Sequence, residues 1–382
     1  MTAALVKSLA EIAEFVQYGY TASASKQPIG PHFLRITDIV PSQIDWESVP
    51  YCEIDEKTIN KFSLASGDIV IARTGATVGY AKLIRDNPES VFASYLVRIR
   101  VDRQLADPGY VGRIVESDVY KQFVMSRVGG AAQPNANAKV LSAFRLPIPN
   151  RSIQTRIVEI LSAYDDLIEN NRRRIQLLEQ ATRLLYKEWF VHLRFPGHEH
   201  TQIIDGVPEG WERRNLEEIA TILKGKNITK DTIEEGNVPV VAGGLNPAYY
   251  HNTANASGPV ITVSASGANA GYVALYHQDI WASDCSYLSS SDNPEIWFLY
   301  LAMTSRQAEI TGMQQGAAQP HVYPKHLKRL SLLNPPKTLR KLFHGTVESS
   351  FLQIANLEKQ IEKLAKARDL LLPKLMNGEV AV

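Results

Sequence analysis

The chain contains two copies of one pattern, and that duplication limits its fold more than any other feature. Gly130-Ala-Ala-Gln-Pro134 recurs 186 positions later as Gly316-Ala-Ala-Gln-Pro320. The same offset pairs Pro108 with Pro294, Ile175 with Ile361, Leu178 with Leu364, and Leu184-Leu185 with Leu370-Leu371. Upstream, an offset of 192 matches Gly75-Ala76, Gly79-Tyr80 and Ser94-Tyr95-Leu96 to Gly267-Ala268, Gly271-Tyr272 and Ser286-Tyr287-Leu288. A short insertion separates the two blocks. Agreement of this extent points to two similar structural units rather than one large core.

Each copy holds a mixed region followed by a long helix. Ile153 to Phe190 carries apolar residues at Ile153, Ile157, Ile160, Tyr164, Leu167, Ile168, Ile175, Leu178, Leu185 and Trp189, and neither Gly nor Pro interrupts it. This three-and-four spacing keeps one stripe on one face. A stripe of that length needs a cover, and Leu339 to Leu375 repeats the spacing. The two are expected to pair as an antiparallel coiled coil, which relates the copies by a pseudo-two-fold axis. Roughly 38 helical residues would span about 57 Å.

The mixed regions read as strands at Asp68 to Arg73, Gly79 to Ile84 and Val91 to Val101, then a helix from Tyr110 to Val128. In the second copy the strands are Gly258 to Ser264, Gly271 to Tyr276 and Ile280 to Leu288, and the helix Ile296 to Met313. Leu146-Pro-Ile-Pro149 is a strand or a linker. The fold class is therefore α+β, with mixed α/β domains at 1–150 and 198–336 and helical spacers at 151–197 and 337–382.

Composition excludes several classes. A 382-residue chain with 45% hydrophobic and 21% charged residues folds around ordinary cores. Cys52 and Cys285 form no CxxC or disulfide framework, which suits a reducing compartment, and the cytoplasm is expected. No window approaches the ~18 apolar residues of a membrane span. The net charge of +1 creates no global basic field, so nucleic-acid binding would have to come from local patches.

Motifs that could carry catalysis are weak. Asn334-Pro-Pro-Lys337 resembles the adenine-holding loop of amino-methyltransferases, but its fourth residue is Lys and no Gly-rich cofactor loop follows a strand. It aligns instead with the Pro147 to Pro149 segment. Asp55-Glu56-Lys57 fits a charged strand end better than a nuclease centre. His192, His198 and His200 lie in a turn-rich joint without Cys, and Ser264, Ser266 and Ser286 lack a His and Asp in a nucleophile motif. No catalytic residue, metal or cofactor is expected.

The loops after the helices are more informative. The first carries Gln133, Asn135, Asn137 and Lys139; the second carries Gln319, His321, Tyr323, Lys325, Lys328 and Arg329. Amide and cationic side chains match base edges and phosphates. A Gly-capped turn with solvated polar residues explains them equally well. Arg73, Thr74 and Lys82, and in the second copy Ser264, Ser266 and Asn269, complete the DNA-binding candidates. The Gly75 to Tyr80 and Gly267 to Tyr272 turns could approach phosphates, although a hairpin turn is the simpler reading. Arg172-Arg173-Arg174 reads as a solvated face, or as a phosphate contact if DNA lies along the spacer.

The whole chain resembles the specificity subunits of type I restriction-modification systems. The likeness rests on the duplicated globe and helix, on Leu184-Leu-Tyr-Lys-Glu-Trp-Phe-Val191, on Gly206-Val-Pro-Glu-Gly-Trp-Glu212, and on Leu371-Leu-Pro-Lys-Leu-Met-Asn-Gly-Glu379. It implies two target recognition domains, each reading one half of a bipartite asymmetric site on double-stranded DNA. It also implies helices that set the gap and dock two methyltransferase subunits, which hold S-adenosylmethionine and methylate adenine. The subunit itself would be non-catalytic, and the partners either only methylate or include restriction subunits. The first copy lacks the Pro-Glu-Gly-Trp opening and keeps only Leu9-Ala-Glu-Ile12 as an echo of Leu216-Glu-Glu-Ile219, so its opening segment is expected to pack differently. The alternatives are a self-contained methyltransferase or nuclease, which would bind S-adenosylmethionine or modify DNA alone, and a coiled-coil scaffold without sequence-dependent DNA retention.

Overall fold

The computed structural model describes residues 5–41, 43–86, 88–128, 134–316, 320–376 and 379–380. Two of the DNA-binding candidates, Gln133 and Gln319, lie outside the described residues. The chain divides into two compact units, Met1–Ile168 with Glu362–Val382, and Glu169–Ile361.

In the first unit an antiparallel sheet runs in the order Ala13–Tyr18, Leu96–Val101, Asp68–Ala72, Ala81–Leu83. Asp68–Ala72 is buried along its whole length because both of its faces are covered. Ile69 and Ile71 enter a core with Tyr110, Val111 and Ile114, while Val70 and Ala72 enter another with Leu34, Ile39 and Phe92. This period of two explains why the segment reads as a continuous apolar run rather than an alternating one.

The second unit repeats the plan with Leu223–Lys224, Cys285–Ser289, Val260–Ser264 and Val273–Tyr276 as its four-stranded sheet. Val238–Val241 adds a small sheet, antiparallel to Tyr249–His251 and parallel to Trp281–Ala282. A parallel pair, His32–Leu34 with Ser90–Phe92, plays a similar part in the first unit.

Each expected helix is broken in two. Pro108–Val115, capped by the Asp107 carboxylate and started by Pro108, gives way to Asp118–Val128. At the break the Glu116 carboxylate accepts the Leu83 N–H at 2.8 Å. In the second unit Ile296–Ser305 is followed by Gln307–Gly312, and the Gln307 amide oxygen accepts the Val273 N–H at 3.0 Å. Both breaks place a polar side chain against an edge strand whose backbone would otherwise be open to a further strand.

Leu146-Pro-Ile-Pro149 forms a strand: Arg145–Ile148 pairs antiparallel with Leu5–Ser8, as Ser331–Asn334 pairs with Glu212–Asn215. The chain thus comes into and leaves each mixed region on neighbouring strands. The echo of Leu216–Ile219 in Leu9–Ile12 is structural, for the two opening segments share this turn. Leu9–Ile12 and Leu216–Ile219 both start at capping boxes, with the Glu11 and Glu218 carboxylates each accepting a cap N–H at 2.7 Å. What the second opening adds is Trp211, buried against Phe190 and Phe195.

The long helices are Arg151–Phe190 and Lys337–Met376. In the first unit Ile157 and Leu161 of one and Leu372 and Leu375 of the other join the core of the mixed region. In the second unit Tyr186, Trp189 and Phe190 share a core with Phe343, Val347, Phe351 and Ile354. Leu167, expected on the covered stripe, is instead 52% exposed, as are Leu177, Leu184 and Val191 to similar degrees. Among the described residues no helix is long and apolar enough to cross a membrane.

Candidate nucleic-acid interface

The two sequence blocks that align at different offsets meet in space within each unit. In the first, the Gly75 N–H donates to the Pro134 carbonyl at 3.0 Å, the Ala136 N–H donates to the Arg73 carbonyl at 2.8 Å, and Thr74 bridges to Asn135. In the second, Gly267 donates to Pro320 at 3.1 Å, Val322 to Ala265 at 3.0 Å, and Ser266 bridges to His321. Glycine is required at the far end of each turn, where Gly79 and Gly271 have φ of 82° and 85° and a Cβ would sit about 3 Å from Val124 and Ile310. The Gly75 and Gly267 amides are thus already donating, in keeping with turns that pack against the following loop.

The first unit builds an arginine site on this framework. The Arg73 guanidinium lies over the Tyr18 ring at 4.8 Å, and its Nη2 donates to the Asn135 side-chain oxygen at 3.4 Å. Tyr18 is itself fixed, its phenol oxygen accepting the Ala138 N–H at 2.9 Å. Asn137 caps Ala138–Ser142 by accepting the Val140 N–H, which occupies its carbonyl, while Lys139 on that short helix is exposed. Thr74 is half-buried. Lys82 is not brought to the group. Its Nζ donates to the Pro41 carbonyl at 2.8 Å, and burial lowers its pKa.

The second unit is chemically different. The Ser264 hydroxyl donates to the Gly243 carbonyl at 3.1 Å, the Asn269 amide reaches the same carbonyl at 3.5 Å, and the Ser266 hydroxyl donates to Asp284. Ser264 and Asn269 are therefore committed to holding the loop at Gly243, and Ser266 to Asp284. The outward chemistry belongs to His321, which stacks on Tyr323 at 5.6 Å and 13°, and to Lys325, whose Nζ lies 5.5 Å from the Tyr323 ring. Tyr323 is 43% exposed.

Tyr18, Asp284 and the loop at Gly243 escaped the sequence reading. Gly243-Gly244 was the one available signal, since Tyr18 lies more than a hundred residues from the Ala138 amide that it holds.

The remaining candidates have structural roles. Asp55 caps Glu56–Phe62 through the Thr58 N–H, and Asn334 accepts from Arg340 at the start of the second long helix. Among the described residues no three His, Cys, Asp or Glu side chains are placed to hold a metal. Cys52 and Cys285 are buried, which pushes their thiols up to about 11 and about 12. Arg173 and Arg174 are exposed, while Arg172 lies 3.8 Å from Glu169.

Each copy of the repeat thus carries the same loop framework on a mixed α/β domain, and comparison with known proteins gives the class. The family model described as type I restriction modification DNA specificity domain matches residues 6–180 and 208–363, one match on each copy of the repeat. The chain belongs to that family, whose members are non-catalytic specificity subunits working with catalytic partner subunits. It is 25% identical to the type I restriction enzyme MjaIX specificity subunit of Methanocaldococcus jannaschii, over 86% of this chain and 82% of that one. It is 22% identical to the HindI specificity subunit of Haemophilus influenzae, over 84% and 88%. The crystal structure of a type I system S subunit from M. genitalium has the same fold, with a TM-score of 0.58 at 16% identity over 97% of this chain and 96% of that one.

Proposed function

We propose that this protein directs adenine methylation, and restriction where a restriction subunit is present, to a bipartite asymmetric DNA site. The target recognition domains at 1–150 and 198–336 each read one half. The helical spacers at 151–197 and 337–382 pair antiparallel and set the gap between the halves. The single observation that carries this reading is the twofold family match, one on each copy of the repeat. Direct DNA contacts are assigned to Arg73, Thr74, Asn135 and Lys139 in the first domain and to His321, Tyr323 and Lys325 in the second. Cationic and amide side chains on loops supply both phosphate neutralisation and base-edge hydrogen bonds.

Antiparallel pairing is supported within each unit taken alone. The start of one long helix shares a core with the end of the other in the first unit, and the converse holds in the second. Two methyltransferase subunits would dock on the helices. Leu177, Leu184 and Val191, at seven-residue spacing and 56–62% exposed, form an apolar stripe suited to a partner helix. A near-neutral chain gains little DNA affinity from its own field, so binding is expected to strengthen once partner subunits add positive surface. The complex would act in the cytoplasm.

Single-molecule sequencing of methylated adenines in the host, with the gene intact and deleted, tests the proposal. A bipartite motif present only with the intact gene is the expected result. Identical methylation in both strains would refute it.

A further inference from the structure

The two recognition domains share a backbone framework but differ at one position in a way that bears on which base is read. The carbonyls of Arg73 and Ala265 accept equivalent N–H groups, from Ala136 and Val322, so the two residues occupy the same place in the two turns. One carries a guanidinium and the other a methyl group. The guanidinium is held from two directions, by the Tyr18 ring and by the Asn135 oxygen. Tyr18 is in turn fixed by the Ala138 amide. Arg73 Nε is buried without a hydrogen-bond partner, as is Arg98 Nε. Burial of Nε leaves the terminal Nη edge as the part of the fork that can meet a ligand. Arg73 has no carboxylate partner among the described residues, in contrast to Arg98, Arg100 and Arg113 of the same unit, which pair with Asp68 or Asp165.

We infer that Arg73 is a specificity-determining residue that reads a guanine in the half-site of the first recognition domain, with Tyr18 and Asn135 as its positioning residues. A planar fork of donors matches two adjacent acceptors, and in the major groove guanine alone presents such a pair, O6 and N7. Adenine offers a donor beside its N7, and cytosine offers a donor. Ala265 removes this contact from the second domain, where the His321 and Tyr323 stack occupies the corresponding edge. This inference rests on the DNA-reading function proposed above.

The test places Arg73→Ala, Arg73→Lys and Arg73→Gln in the chromosomal gene beside its natural partners and maps methylated adenines. Wild type must first show a bipartite motif; if it shows none, the underlying function fails and not this assignment alone. Given the motif, Arg73→Ala is expected to relax one guanine of one half-site by roughly ten- to a hundredfold in preference, leaving the other half unchanged. Arg73→Lys keeps the charge but has neither the planar fork nor a flat face for the Tyr18 ring, so it should retain binding while losing much of the preference. Arg73→Gln should shift it toward adenine, whose N6 and N7 match an amide, and this gain of a new base separates reading from loss of folding. An unchanged motif in all three variants would overturn the assignment. So would a uniform fall in methylation with every base retained, the behaviour of a phosphate contact.

Discussion

The same place in the repeat is held by charge in one unit and by aromatic rings in the other. In the first unit Asp165, on the long helix Arg151–Phe190, pairs with Arg113, with Arg368 at 2.6 Å and with Arg85 at 3.5 Å. The position matching Asp165 at the 186 offset is Phe351, which stacks on Trp297 at 4.5 Å and 7°. Arg113 and Arg368 are matched by Leu299 and Thr182, and at the 192 offset Arg85 is matched by His277. His277 leans on Trp297 at 5.8 Å, and His344 stacks on the same tryptophan at 6.1 Å and 14°. One architecture therefore tolerates two chemistries at the joint between a mixed region and its helix. What the repeat preserves is the backbone path and the glycines that permit it.

The two joints should fail differently. Phe351→Ala removes a fully buried ring from the second joint and is expected to cost about 3–5 kcal/mol, the largest effect considered. Urea unfolding followed by tryptophan fluorescence reads it directly, because Trp189, Trp211, Trp281 and Trp297 all belong to the second unit. Asp165→Ala leaves Arg113 buried without its carboxylate. Its cost should be smaller, about 2–3 kcal/mol, because Arg368 keeps Asp369 and Arg85 keeps Glu116. Hydrogen exchange should show the loss confined to the first unit. Equal loosening of both units by either variant would break the comparison.

Acid should separate the joints by a smaller margin. Burial, and then Lys359, pushes His277 down to about 4 from an ordinary 6.5. The unfolded chain therefore binds more protons between those values, and stability is lost as pH falls from 6.5 toward 4, by on the order of 1–3 kcal/mol. His344 is lowered too, by burial that outweighs Glu348 and Glu295, and it acts in the same direction. At Asp165 burial opposes ionisation, but Arg113 and Arg368 outweigh it and hold the carboxyl below its ordinary 3.8. Its contribution is present above 3.8 and disappears only as pH drops through the lower folded value. Acid exposure monitored by hydrogen exchange should open the second unit first, and His277→Gln should narrow the difference. If the first unit opened first, the burial account of His277 would fail.

Much of this was legible in the sequence because backbone requirements leave local marks. Gly75, Gly79 and their partners are needed for turns, and Pro134 and Pro320 sit in the segments that those turns grip, so the contact left a repeat at two offsets. The long helices showed in their three-and-four spacing, free of Gly and Pro in the first and carried past Gly345 and Pro373 in the second. The helix breaks at Glu116 and Arg306 did not show, because they depend on a strand edge contributed from elsewhere in the chain. The candidate site was legible as a place more than as a set of contacts. Arg73 and Asn135 do meet, whereas Lys82 is drawn away by Pro41, and Ser264, Ser266 and Asn269 are engaged by a loop and by Asp284. Which polar side chain is already satisfied is set by partners 18 to 62 residues away, and no local pattern records that.

The central claim is that two recognition domains read separate halves of one site. Replacing residues 198–336 with the matching segment of a relative, and mapping methylated adenines in the host, tests it most directly. The account predicts a hybrid motif in which one half changes, while the other half and the gap are retained. A motif altered in both halves, or in neither, would contradict it.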